Sequence, residues 1–121
     1  MRSIAILIAF STAAFVAPQQ VAGPSELAGR TGGSPHRCIL IQSGETLRVS
    51  GSDRHIILYG NGRTIWVTRV APACAIGVND ILVTDPIGPY YCRGDLVRSY
   101  DRINRTPGAA CKLGEFVPYT R

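Results

Sequence analysis

The chain has 121 residues, of which 45% are hydrophobic and 17% charged, and a formal net charge of +5. That length holds one small domain whose core is marginal on its own. Twelve of the 13 basic residues are Arg and one is Lys112, a bias that suits bidentate contact with anions and that GC-rich codon usage also produces.

Met1-Arg2-Ser3 is a short basic start, Ile4 to Val16 an uncharged and mostly aliphatic run, and small residues continue to Ala22. That layout is a secretory signal peptide over residues 1–22, too short to span a bilayer comfortably. Cleavage after Ala22 is favoured over Ala17, which Pro18 follows. Removal leaves about 99 residues with no transmembrane segment. No cysteine stands near the leader's end, which argues against a lipid anchor. Export to an oxidising compartment, periplasmic or secreted, turns Cys38, Cys74, Cys92 and Cys111 into disulfide candidates.

Residues 23–35 are rich in Gly, Ser, Pro and Thr and read as a flexible lead-in. Residues 36–121 read as a single small β domain, since no segment carries an apolar stripe at helical spacing. Strands are expected at Cys38–Ile41, Thr46–Val49, His55–Tyr59, Thr64–Val70, Ile81–Val83 and Leu96–Tyr100. A loop follows from Asn104 to Ala110, and Cys111–Tyr119 is a last strand or extended tail. Asn61-Gly62 marks a two-residue hairpin turn. Its register would place Leu58 opposite Ile65 and Ile56 opposite Val67 on an aliphatic face. Tyr59, Ile57, Trp66 and Thr68 would lie on a half-exposed face, and Arg54 opposite Arg69 at the open end. About six short strands with Gly/Pro turns predict an all-β fold, a small disulfide-stapled β-barrel or β-sandwich.

Several blocks together carry a resemblance: the leader, Cys38, Val70-Ala71-Pro72-Ala73-Cys74, Tyr91-Cys92-Arg93-Gly94-Asp95, and Cys111 through Tyr119. They resemble a family of small exported proteobacterial proteins with four cysteines, known as a domain of unknown function. The resemblance spans roughly residues 36 to 119 and implies an exported, disulfide-bearing β domain without implying an activity. Four cysteines allow three pairings. Cys74–Cys92 with Cys38–Cys111 is favoured, tying the linker after the hairpin to the Tyr-Tyr-Cys strand and the first strand to the last. The gaps between cysteines lack the close ligand pairs of a zinc site, and no metal or cofactor is expected.

Chemistry-bearing constellations are sparse. His36 and His55 are the only histidines, with Asp53, Asp95 and Asp101 as available carboxylates, and no serine sits in a nucleophile turn. Arg93-Gly94-Asp95 reads as a turn entering Leu96-Val97, and Asn104-Arg105-Thr106 as a formal glycosylation site that a bacterial source leaves inert. Trp66 and Tyr59, rimmed by Arg54, Arg63 and Arg69, form the candidate binding surface, because aromatics and arginines dominate binding energetics. The expectation is a non-enzymatic exported binding module whose partner is an envelope protein or an anionic glycan; export argues against nucleic acid. An alternative is a small inhibitor of an extracellular lysozyme or protease, using loop Gly51–Arg54 or Pro86–Tyr90. A small hydrolase built on His55 comes third.

Overall fold

β-branched and aromatic residues set the fold from residue 37 onward, and the hairpin around Asn61-Gly62 is its centre. A computed structural model describes residues 5–9, 11–12, 24–74 and 76–121, so the signal peptide expected at residues 1–22 falls largely outside the described residues. These residues form a single 3-10 turn (Ser25–Leu27), no α-helix, and ten strands. The strands are β1 Thr31–Gly32, β2 Cys38–Leu40, β3 Arg48–Val49, β4 Ile56–Tyr59, β5 Thr64–Arg69, β6 Ile81–Thr84, β7 Tyr90–Cys92, β8 Leu96–Tyr100, β9 Pro107–Lys112 and β10 Val117–Thr120.

They make a five-stranded sheet of order β1-β10-β5-β4-β3, a three-stranded sheet β6-β8-β9 and a two-stranded ribbon β2-β7. The all-β expectation holds, but no sheet closes, so the barrel alternative is not formed. The strand count also exceeds six. Two-residue strands at the sheet edges are too short to show a period, and Pro107–Ala110, expected as loop, is the start of β9. Proline is tolerated there because it opens an edge strand.

β4 and β5 pair as expected but in a different register. Tyr59 stands opposite Trp66, Leu58 opposite Val67, Ile57 opposite Thr68 and Ile56 opposite Arg69. Gly60 and Gly62 both have φ of 89°, so the connection is wider than a two-residue turn and the register moves by two. A shift of two preserves the faces, since side chains alternate with period 2. It also removes the expected Arg54–Arg69 opposition, because an isoleucine faces Arg69.

The face expected to be half exposed is buried at Ile57, Tyr59 and Thr68, and Trp66 on it is half-buried. Every residue of β4 is buried, Tyr59 being only 2% exposed. Ile57 and Tyr59 pack into the larger core with Ile39, Val49, Val97, Leu113 and Phe116, which brings all three sheets together. Ile56, Leu58, Ile65 and Val67 form a second cluster on the other face, covered by Leu27 and flanked by Tyr119.

Leu27 therefore corrects the flexible lead-in. Residues 24–35 are docked: β1 pairs with β10, and Gly33 N–H donates to the Pro118 carbonyl at 2.8 Å. The Arg30 guanidinium donates to the carbonyls of Gly62, Arg63 (2.9 Å) and Tyr119 (3.4 Å). One leucine and one arginine outweigh a linker-like composition.

The disulfides are Cys38–Cys92 and Cys74–Cys111, not the favoured Cys74–Cys92 and Cys38–Cys111. β2 pairs with β7 rather than with a terminal strand, which sets Cys38 directly opposite Cys92 with Cα atoms 4.0 Å apart. Cys74 reaches Cys111 on β9 at a Cα separation of 6.0 Å. Loops of this size correspond to roughly 4 kcal/mol per cross-link in the chain-entropy view.

Glu26 links the docked N-terminal turn to the loop after β3. Its carboxylate accepts from Gly51 N–H at 2.8 Å and from the Ser50 hydroxyl at 3.1 Å. Partial burial pushes its pKa up, but hydrogen bonds from the Gly51 and Glu26 amides and from Ser50, with Arg48 nearby, outweigh that and leave it below the ordinary 4.5. A carboxyl with a lowered folded pKa contributes stability that is present above its ordinary value and lost as pH falls through the lowered one. Glu26→Gln should therefore be less stable than wild type to urea at pH 7, with the gap closing in strong acid. An equal gap at both pH values would count against the linkage.

Candidate functional site

Alternation along β5 puts Val67 and Arg69 on one face, and β10 places Val117 opposite Val67 and Tyr119 opposite Ile65. This face is covered by Leu27 at one part and left open at another. The open part is a groove of about 480 Å³ lined by Val67, Arg69, Arg93, Gly114, Glu115, Val117 and Tyr119.

Arg93 comes from the turn between β7 and β8. The Asp95 carboxylate accepts from Cys92 N–H at 2.7 Å, Gly94 has φ of 90°, and Gly94 N–H donates to the Leu113 carbonyl at 2.8 Å. The Arg-Gly-Asp tripeptide is thus a tight turn with its aspartate engaged by its own backbone. Arg93 Nη1 lies 3.2 Å from Glu115 Oε1, with both side chains well exposed, so the pair orients Arg93 more than it stabilises the fold. Arg69 is exposed and has neither a carboxylate nor a side-chain hydrogen-bond partner among the described residues.

Gly114 holds the groove together. Its N–H donates to the Arg69 carbonyl at 3.0 Å, and a Cβ there would lie 2.9 Å from that same oxygen. Only a glycine lets the β9–β10 link approach β5 so closely.

The five residues expected to form one surface are dispersed. Arg69 lines the groove. Arg63 is exposed on the hairpin connection, where its carbonyl is taken by Arg30 and by Arg121 N–H. Arg54 is exposed in the turn before β4 and does not line the groove. Tyr59 and Trp66 project from the opposite sheet face. Tyr59 is in the core, its hydroxyl accepting from Gln42 N–H at 2.6 Å and its ring edge-on to Tyr91. Trp66 is half-buried with its ring 4.9 Å from that of His36, edge to face. Aromatic content signalled a platform, but Tyr119, in the segment expected as a last strand or extended tail, is the aromatic that lines the groove with Arg69.

His55 sits near Asp53, Nδ1 to Oδ1 3.4 Å, while Nε2 faces the Pro72 carbonyl at 2.9 Å. The Ser50 hydroxyl is bonded to Glu26 and Ser52, so the imidazole addresses a backbone oxygen rather than a serine. Among the described residues no group of three or more His, Cys, Asp or Glu side chains could hold a metal ion, and no helix is long and apolar enough to cross a membrane. No protein-family model, curated protein or solved structure matches the chain.

Gly114→Ala should cost about 1–3 kcal/mol of stability, the usual range for forcing atoms into a packed site, because the Cβ must push the Arg69 carbonyl away. Denaturant unfolding checks this; an unchanged midpoint would mean that the β9–β10 link relaxes freely.

Proposed function

We propose that the protein is a non-enzymatic β domain, exported to the periplasm or beyond, that binds an anionic ligand of the cell envelope in the Arg69 groove. The observation that carries this reading is the Arg69 side chain, exposed and without a partner among the described residues, in a groove that Val67, Val117 and Tyr119 also line. The leader-like residues 1–22, the two disulfides and the resemblance to exported four-cysteine proteins support the location.

An anionic glycan suits the groove's chemistry. The Tyr119 ring can pack against the apolar face of a sugar, Arg69 can pair with a uronate carboxylate, and Glu115 can accept from hydroxyls. Arg93 is held by Glu115 at 3.2 Å, which leaves Arg69 as the groove's uncompensated cation among the described residues. Nucleic acid would satisfy the charge as well, but an exported protein does not meet it in the ordinary course.

Retention on immobilised polygalacturonate tests the assignment. Arg69→Glu should weaken retention roughly tenfold or more, as loss of a central charged anchor does. Arg54→Glu makes the same charge change outside the groove and should have little effect. Equal losses in the two variants would show that net charge alone is responsible, and no retention of wild type would remove the glycan reading.

A further inference from the structure

The connection between β6 and β7 carries the most exposed large apolar side chain in the folded domain: Ile87 is 97% exposed. It stands between Pro86 and Pro89, whose rings fix φ. The Pro89 carbonyl accepts from Ile41 N–H at 2.8 Å, and the Cys38–Cys92 disulfide locks the ribbon three residues further on. Leu40 and Tyr90, paired across that ribbon, are 54% and 47% exposed beside the connection's base. The result is an apolar knob on an anchored base, and anchoring the base lowers the entropy lost when the connection is captured.

A pocket that can take it lies on the same chain. Ala71, Ala73, Ala109 and Ala110, with the Cys74–Cys111 disulfide and Lys112, line an apolar pocket of about 380 Å³. The short alanine side chains leave room for a branched aliphatic group. Charge also matches: Asp85 is exposed two residues before Ile87, and Lys112 is exposed beside the pocket. Neither side chain has an ionic or hydrogen-bond partner among the described residues.

The connection and the pocket meet the same end of the three-stranded sheet. Thr84, where the connection leaves β6, pairs with Val97, and Val97 pairs with Cys111 in the pocket. Two strand spacings, about 10 Å, separate those positions. A knob and its complement carried at one end of the same sheet suit a two-fold arrangement in which each copy supplies both, a closed pair rather than an open filament.

We propose that the protein forms a two-fold dimer in which Ile87 of each copy enters the alanine-lined pocket of the other and Asp85 faces Lys112 across the interface. The net charge, +5 for the whole chain and +4 once Arg2 leaves with the leader, opposes association only over short range, since the screening length is about 8 Å at physiological ionic strength. The Arg69 groove shares no residue with the knob or the pocket.

Sedimentation analysis of the disulfide-intact protein from micromolar to millimolar concentration tests this. A monomer–dimer equilibrium is expected, weakened roughly tenfold or more by Ile87→Glu and by Ala110→Arg, two exposed positions whose substitution leaves the core intact. Asp85→Lys should weaken the dimer, and Asp85→Lys combined with Lys112→Asp should restore it. Arg69→Glu should leave it unchanged, which separates this interface from the groove. A monomer at every concentration, or a dimer indifferent to both Ile87→Glu and Ala110→Arg, would overturn the proposal. So would a monomer that inhibits an extracellular hydrolase through Ile87, because the knob would then belong to an inhibitory loop.

Discussion

Two cross-links carry the architecture. A two-stranded ribbon is marginal in water, and β2-β7 has only three residues in each strand. Cys38–Cys92 makes that ribbon a fixed part of the domain and so holds Ile39 and Tyr91 against the core. Cys74–Cys111 does the corresponding work for the three-stranded sheet, tying β9 to the chain just past the central hairpin. Without these bonds the smaller sheets would be held by side-chain packing and a few backbone hydrogen bonds, such as Gly114 N–H to the Arg69 carbonyl and Gly94 N–H to the Leu113 carbonyl.

That packing is organised around β4. A strand buried on both faces needs cover on both sides, and the chain supplies it from distant segments. Leu27, before the first strand, covers one face, while Ile39, Val97, Leu113 and Phe116 converge on the other. The groove follows from how this cover is distributed. Leu27 protects only part of the outer face, and the uncovered part lies between β5 and β10, where Arg69 and Tyr119 project. Gly114 and the Arg93 turn then close the groove from the side, each anchored by backbone hydrogen bonds. Fold and candidate site thus share one cause: a sheet wider than the segments that cover it.

Local structure was legible in the residues, and long-range pairing was not. β8 lies where Leu96–Tyr100 predicted it, and the alternation in β4 and β5 assigned side chains to faces correctly even though the register is two residues off. The register depended on Gly60 adopting positive φ beside Asn61-Gly62, which the turn dipeptide alone does not specify. The disulfide pairing depended on β2 choosing β7, a partnership across 54 residues with no local signature. The same limit explains the site. Arg69 was legible as a candidate, but Arg93, Glu115 and Tyr119 reach it only through the β5–β10 pairing and the turn after Cys92. Trp66 and Tyr59 were drawn to the surface by their binding chemistry, whereas packing claimed Tyr59 for the core and half of Trp66.

The central structural claim is that Cys38 joins Cys92 and Cys74 joins Cys111, since the ribbon, the knob it carries and the alanine-lined pocket all follow from that pairing. Proteolysis of the unreduced protein followed by mass spectrometry reads it directly. Disulfide-linked peptides should connect Cys38 with Cys92 and Cys74 with Cys111. Peptides joining Cys74 to Cys92, or Cys38 to Cys111, would contradict the sheet arrangement on which the groove depends.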